Sequence, residues 1–467
     1  MNRIRKTNNV ALAIAFVAGS FACQNQELKS EKESEIPKPN LIIILADDQG
    51  YSDIGLYGAE GFATPNIDQM AREGVRFTSF YAAPTCSPSR ASLLTGCYFQ
   101  RLSIGGPVNN PHSGLNPDEI TLAEKLKKNG YTTALIGKWH LGLPEEMSPT
   151  NQGFDYFSGI PLSHIRHGYT EHTEGPKAYY RRQWKTIAAG GEAKIEYDPN
   201  DTLFTQRCTK EAIEFLNENK NEPFFLFLSH PQVHKEVLAS EEFRGRTERG
   251  IYGDACEEVD WSVGEVLRTL EELDLDDNTL VIYASDNGPW LDQGEESGKA
   301  EPLRDGKFTS WEGGVRVPCI MRWPGKIPEG KLIDEIASIM DIYPTFINLI
   351  GDEMPDDRII DGKDIWPLIS SEEKQVSPYE AYYYYNYRRL EGVRKGPWKL
   401  HFNQGNWELF NLDEDIGERS NVADQHPELV KKLHALLDTA RYDMGDALMQ
   451  VRGESVRSIG KVDEARP

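Results

Sequence analysis

Two pairs of polar residues end apolar runs that lie far apart in the chain. Asp47-Asp48 follows Leu41-Ile42-Ile43-Ile44-Leu45-Ala46, and Asp286-Asn287 comes just after Leu280–Ala284. Four oxygen donors at two strand ends suit a hard cation such as Ca2+, which takes carboxylate and amide ligands. A local reading competes: acids after a strand can cap a helix, and Asp-Asn-Gly makes a turn. Lys138 and His140 follow a third run, Tyr131–Ile136, and two residues so spaced on an extended segment point to one side. An exposed Lys and a packing His would look the same. His230 and His234 follow a fourth run, Phe224–Leu228, and both are candidates for proton transfer. The thiol of Cys86 opens Cys86-Ser87-Pro88-Ser89-Arg90, although a lone thiol near a proline carries little meaning.

These residues need a scaffold that brings strand ends together. The four runs are continuous and β-branched or aromatic, which is how strands covered on both faces read. Amphipathic helical stretches lie between them at Ile120–Lys128, Leu203–Asn217 and Ala255–Leu273. This alternation predicts an α/β sandwich with a largely parallel sheet, and such folds gather ligands at the carboxyl ends of their strands. The character changes near Gly351–Ser377. Beyond it, aromatic Tyr379–Tyr387, short strands in Val393–Phe402 and Trp407–Leu412, and a helix over Pro427–Asp443 predict a small antiparallel sheet with one packed helix. The polar residues from about Val451 onward read as a loosely ordered tail.

At 467 residues the chain exceeds one small core, so a large domain plus a smaller one is expected. Its formal charge, 51 − 74 = −23, is spread along the sequence. Such a surface repels nucleic acid and anionic membranes at long range, and nucleic acid is not expected as a partner. An anionic substrate would require positive groups gathered in one pocket. No internal stretch is long enough to span a bilayer.

Arg3, Arg5 and Lys6, then apolar Val10–Phe21, then Ala22-Cys23, read as an export signal over residues 1–22. Small residues before a Cys resemble a bacterial lipoprotein signal, with cleavage before Cys23 and lipid on its thiol. An ordinary secretory signal with an incidental Cys is the other reading. Residues 23–39, rich in Glu, Lys and Ser, read as a flexible tether. The expected location is the periplasm or outer membrane of a Gram-negative bacterium, with membrane contact only through the lipid. Cys86, Cys97, Cys208, Cys256 and Cys319 complete the cysteines. No Cys-x-x-Cys spacing points to a metal–thiolate site, and disulfide pairing stays open.

Extended through Ala91-Ser92-Leu93-Leu94-Thr95-Gly96, the run at Cys86 resembles the signature of the type I, formylglycine-dependent sulfatases. Leu45-Ala46-Asp47-Asp48-Gln49-Gly50-Tyr51 and Ala284-Ser285-Asp286-Asn287-Gly288-Pro289 are similar to that family's metal motifs. Gly137-Lys138-Trp139-His140-Leu141-Gly142 is similar to its lysine–histidine motif. The block from Gly306-Lys307 to Trp311-Glu312-Gly313-Gly314-Val315-Arg316-Val317-Pro318 is similar to its downstream lysine block. The blocks run in family order over residues 40–440. Arg249-Gly250-Ile251-Tyr252-Gly253-Asp254-Ala255 brings the chain nearest the arylsulfatase A and N-acetylgalactosamine-6-sulfatase branch. Two positions depart: Cys97, where many relatives carry a basic residue, and Glu236, where the family usually shows Pro.

The resemblance implies an alkaline-phosphatase-like α/β sandwich, with a catalytic domain over 40–375 and a C-terminal subdomain over 376–467. It implies that a formylglycine-generating or anaerobic sulfatase-maturating enzyme converts Cys86 to formylglycine (3-oxoalanine). Asp47, Asp48, Asp286, Asn287 and residue 86 would then hold one Ca2+. The implied catalytic set is Cys86, Arg90, Lys138, His140, His234 and Lys307. The family pattern at Leu238-Ala239-Ser240 selects His234 over His230. Lys138, His234, Lys307 and Ser163, in Gly159-Ile160-Pro161-Leu162-Ser163-His164, would bind the sulfate; a structural loop is the alternative for Ser163. Glu312 and Arg316 would brace the fold.

The activity so implied is hydrolysis of sulfate esters on a sulfated polysaccharide or oligosaccharide by a formylglycine gem-diol. Asp286 would favour its deprotonation, His234 with Lys307 would protonate the leaving oxygen, and His140 would act as base when the aldehyde reforms. A phosphoryl-ester hydrolase of the same superfamily is the nearest rival, but its His-rich zinc motifs are missing from these strand ends. A non-catalytic glycan-binding lipoprotein is the second rival, which loss of Cys86, Lys138 or His234 would have favoured. His164, Arg166, His167, Arg181, Arg182, Trp290 and Arg304 are either rim contacts to substrate or plain surface.

Overall fold

The run Asn40–Ala46 forms strand β1, and every one of its residues is buried. The structure, a computed structural model, describes residues 38–163, 183–197 and 200–463. Side chains of β1 alternate between two cores. Leu41, Ile43 and Leu45 face a layer made by α2 (Cys86–Thr95), α3 (Leu122–Lys128) and a later helix at Ile342–Leu349. Ile42, Ile44 and Ala46 face α1 (Pro65–Arg72), α4 (Phe204–Asn219) and α5 (Gly250–Glu272). Each fully buried Ile or Leu contributes about 2 kcal/mol, which is why this run specifies a central strand between helical layers.

The main sheet also contains β2 (Val75–Tyr81), β4 (Thr132–Lys138), β5 (Tyr156–Ile160), β6 (Gln183–Ala188) and β7 (Lys194–Tyr197), with β3 (Ser113–Gly114) pairing elsewhere. Further along come β8 (Phe224–Ser229), β9 (Thr279–Ser285), β10 (Arg316–Arg322), β11 (Lys331–Ile333) and β12 (Ala337–Ser338). Their order is β11-β2-β10-β9-β1-β8-β4-β5-β6-β7, with β12 on β2. The central strands β9, β1, β8, β4 and β5 are parallel, while β10 and β6 run antiparallel to their neighbours and make the sheet mixed.

A second sheet holds β13 (Tyr382–Asn386), β14 (Arg389–Lys395), β15 (Trp398–Asn403) and β16 (Asn406–Asn411), all antiparallel. Leu433, Leu437, Ala440 and Met444 of the helix Pro427–Met444 pack on it, and Tyr81, Tyr98 and Val315 join the same core. The stretch Val393–Phe402 is split into two strands, because Gly396 takes φ 55° and Pro397 has no N–H to pair.

The tail departs from expectation. Val451–Arg452 (β18) pairs with Gly445–Asp446 (β17), and Gly460–Lys461 (β19) pairs with β3. Arg457 holds Glu119 through two bonds of 2.8 and 3.0 Å, and Ser103 donates to its carbonyl at 2.6 Å. A mostly polar stretch is thus ordered by specific pairing, with Ile459 packed on the main core. No described helix is long and apolar enough to cross a membrane. Cys23, the export and tether readings before residue 38, and His164, Arg166, His167, Arg181 and Arg182 lie outside the described residues.

Candidate active site

Parallel neighbours end at the same level, so β9, β1, β8 and β4 present their last residues side by side. Ala46 pairs with Ser285 and Gly137 with Ser229, which aligns Asp47, Asp286, Ser229 and Lys138 along one edge. Asp286 N–H donates to Ala46 O at 3.1 Å, and Asp48 N–H to Asp286 Oδ1 at 3.2 Å. Asp48 and His140 take φ 63° and 60°, a costly backbone region that clusters at functional sites. Gly137 is required where it stands: a Cβ there would lie 1.9 Å from Ser229 O, with φ already at 110°.

Cys86 is the first residue of α2, whose ten residues are all buried. Pro88 fits because the first turn of a helix has N–H groups without intrahelical partners. Arg90, four residues on, shares the face of Cys86. Its Nε and Nη2 donate to Asp286 Oδ2 at 3.0 and 2.8 Å, and its Nη1 donates to Lys138 O at 2.9 Å and to Ser229 Oγ. Cys86 Sγ stands 3.2 Å from His140 Nδ1. Ser87 Oγ donates to His140 O at 2.8 Å, so the motif itself holds the histidine's backbone.

Lys138 Nζ reaches Asp47 Oδ2 at 2.5 Å, and Lys307 Nζ reaches Asp48 Oδ1 and Oδ2 at 2.5 and 2.7 Å. Burial pushes Asp47 up, yet Lys138, His234, Arg90 and Lys307 hold it well below the usual carboxylate range. Burial raises Asp48 despite Lys307, and burial with the neighbouring Asp47 raises Asp286 to about 7. Burial also raises the Cys86 thiol. Burial, reinforced by Lys138 and Arg90, keeps His140 well below its ordinary value and therefore neutral.

Amid these pairs, Asp47 Oδ1, Asn287 Oδ1 and His140 Nε2 are buried without a hydrogen-bond partner among the described residues. Asn287 is oriented by its own Nδ2, which donates to Asp48 Oδ1 and Gly288 O at 2.8 Å. Ligand atoms of Asp47, Cys86 and Asp286 lie within 4.8 Å of one another, as do those of Asp47, Asp48 and His234. Bare carboxylate and amide oxygens so grouped fit a hard divalent cation.

A cavity of about 620 Å³ opens on this cluster, lined by Cys86, His140, Ser163, His234, Lys307 and Trp290. Ser163 Oγ is buried and has no hydrogen-bond partner among the described residues. The two histidines after β8 diverge. His230 is buried with Nε2 3.1 Å from Ser262 Oγ on α5, whereas His234 Nε2 lies 3.7 Å from Asp48 Oδ2. Arg304 is outside the cavity lining: its guanidinium packs 3.5 Å over the Trp311 ring and donates to Glu418 O. Trp290 lines the cavity with its ring 5.2 Å from both Lys307 Nζ and the Phe308 ring. The described cysteines form no disulfide.

Residues 39–352 match the family model for sulfatases, and residues 304–443 match that of the C-terminal part of N-sulphoglucosamine sulphohydrolase. The chain belongs to the sulfatase family. This sulfatase is 37% identical to the N-acetylgalactosamine-6-sulfatase of Canis lupus familiaris, over 82% of the chain and 76% of that protein. It is 37% identical to the steryl-sulfatase of Rattus norvegicus, over 80% and 77% respectively. Its fold is similar to the crystal structure of the PsFucS1 sulfatase from Pseudoalteromonas sp., at TM-score 0.80 and 31% identity, covering 86% of this chain and 89% of that one. It is thus a hydrolase of sulfuric esters.

Several residues of the site escaped the sequence reading. Ser229 ends β8 as Asp47 follows β1, a positional signal that was available. Ser87 lay within the cysteine motif. Tyr387 and Ile459 also line the cavity, but nothing local marks either, since long-range folding carries them there.

Proposed function

We propose that this sulfatase acts on a sulfated polysaccharide or oligosaccharide, with formylglycine made from Cys86 and one Ca2+ held by Asp47, Asp48, Asp286, Asn287 and residue 86. The observation that carries this reading is the pair of buried, unpartnered oxygens, on Asp47 and Asn287, in the same cluster as Cys86, His140 and Lys307, which line a cavity. When present, the ion supplies Lewis acidity and net positive charge, and the aldehyde at residue 86 supplies, once hydrated, an oxygen nucleophile.

The chain's own groups do the rest. Asp47, Asp48 and Asp286 face Arg90, Lys138 and Lys307, so the protein charges nearly balance before an ion and an ester enter. Lys307 brings its ammonium group to the cavity lining to hold sulfuryl oxygens, and Lys138, buried on Asp47, adds positive charge to the site. Arg90, locked on Asp286, fixes the carboxylate beside residue 86. Neutral His140 at Cys86 is in the state a base requires, and His234 at the cavity wall is placed to give a proton to the departing oxygen. Relatives named for an amino sugar and for a steroid stand at the same identity, so overall similarity does not choose the substrate. A glycan is favoured by the polar wall of Ser103, Asn109, Asn110 and Ser113, with Trp290 and Tyr387 as ring surfaces.

An exported lipoprotein, anchored through Cys23, would meet such polymers outside the cytoplasm. The test is co-production with a maturation enzyme, peptide mass analysis at residue 86, and sulfate release from a panel of defined sulfated oligosaccharides. We expect aldehyde at residue 86 and release from at least one sugar. Unmodified Cys86 in a fully active preparation would overturn the formylglycine reading.

A further inference from the structure

The folded tail closes a second cavity beside the first. It measures about 630 Å³, and Ser103 and Ile459 stand in the walls of both. Among the described residues four cations line it, Arg388, Arg452, Arg457 and Lys461, and no carboxylate does. In a chain with 51 basic and 74 acidic residues, that segregation runs against composition. Arg457 is neutralised by Glu119. Arg388, Arg452 and Lys461 are exposed, and none makes an ion pair among the described residues.

Their backbone is nevertheless fixed. Arg388 lies in the turn between β13 and β14, where its carbonyl accepts Ala447 N–H at 2.8 Å. Arg452 lies in β18 and Lys461 in β19. Arg457 N–H donates to Arg101 O at 2.7 Å, and Ser455 N–H to Asp443 O at 3.0 Å. Three cations without an ion pair among the described residues, on ordered backbone and facing a cavity with no described carboxylate in its lining, form an electrostatic trap for an anion.

We infer that this second cavity binds an anionic group, sulfate ester or carboxylate, on a sugar adjoining the one whose sulfate enters the catalytic cavity. The inference rests on the glycan reading above and narrows it to chains with acidic groups on more than one sugar. The two cavities share a wall, so one oligosaccharide can bridge them. A small monosulfated ester would fill only the first.

The test uses the full chain with unmodified Cys86 and three defined tetrasaccharides: one sulfate ester only, one sulfate ester plus a uronate carboxylate, and two sulfate esters. Calorimetry at low salt should show the second anion tightening Kd about tenfold, the scale of a few exposed ion pairs acting together. That ratio should fall towards one in R388Q/R452Q/K461Q, and in wild type as salt rises. The two doubly anionic sugars distinguish sulfate from carboxylate as the preferred group. A wild-type ratio of one, or a ratio retained in the triple variant, overturns the proposal. If the ratio is present but the matured enzyme releases sulfate from none of the three, the site stands and glycan sulfate hydrolysis fails.

Discussion

Lys307 and Glu312 lie on one short segment, yet they enter two buried charge clusters of different character. Glu312 accepts bonds from the Tyr81 and Tyr384 hydroxyls at 2.7 and 2.9 Å, from Lys399 at 3.0 Å and from Arg316 at 3.2 Å. Lys399 also reaches Glu418 at 2.7 Å, and Glu418 accepts Glu312 N–H. Burial works against the Glu312 carboxylate, but Lys399, Arg316 and Arg394 hold it well below its ordinary range. None of these side chains lines a described cavity. The cluster at Lys307 is as deeply buried, but it leaves Asp47 Oδ1, Asn287 Oδ1 and His140 Nε2 bare, and His140, Cys86 and Lys307 of that cluster line a cavity. Buried charge therefore does not mark function by itself. Unpartnered atoms gathered in a cluster that opens on a cavity do, because burying them without a ligand costs stability.

The comparison can be broken by variants that separate activity from stability. Cys86→Ala should lower sulfate release by at least about 10⁴-fold, as loss of a covalent nucleophile does. Its thermal and urea transitions should stay near wild type. A large loss of stability would mean that the catalytic cluster is also structural. Lys399→Met should do the reverse, since it strands Glu312 and Glu418 and costs ~3–5 kcal/mol of stability. Urea unfolding measures this, and sulfate release per folded molecule should hold. If activity falls in proportion, the two clusters are coupled through the Lys307–Glu312 segment. Chelation should have the smallest energetic effect. Removing an ion present at a hundredfold its Kd would lower stability by ~2.7 kcal/mol, with recovery on adding Ca2+. An unchanged unfolding midpoint would argue that the bare oxygens hold no ion.

Particular residues show what could be read locally. The β-branched run at Leu41–Ala46 and the pairs at Asp47 and Asp286 were legible because strand burial and strand-end chemistry act over a few residues. The Cys86-to-Arg90 run was legible only as a motif; that it is one helical turn, with both side chains on a single face, came from the structure. The hairpin at Gly396-Pro397 was missed although its turn residues were in view. Choosing between His230 and His234 needed the family pattern. In the structure, Asp47 N–H bonds Gln232 O and Val233 N–H bonds Asp47 O, which straps the loop so that His234 returns to the site.

The sequence alone determined the central strands and the ligand types at their ends, because these follow from side-chain periodicity and local chemistry. Only the tertiary structure decided which oxygens stay unpartnered, how the loop after β8 is strapped and where the tail goes. Those outcomes depend on pairings such as Arg457 with Glu119, 338 residues apart, and no local pattern encodes a contact at that range.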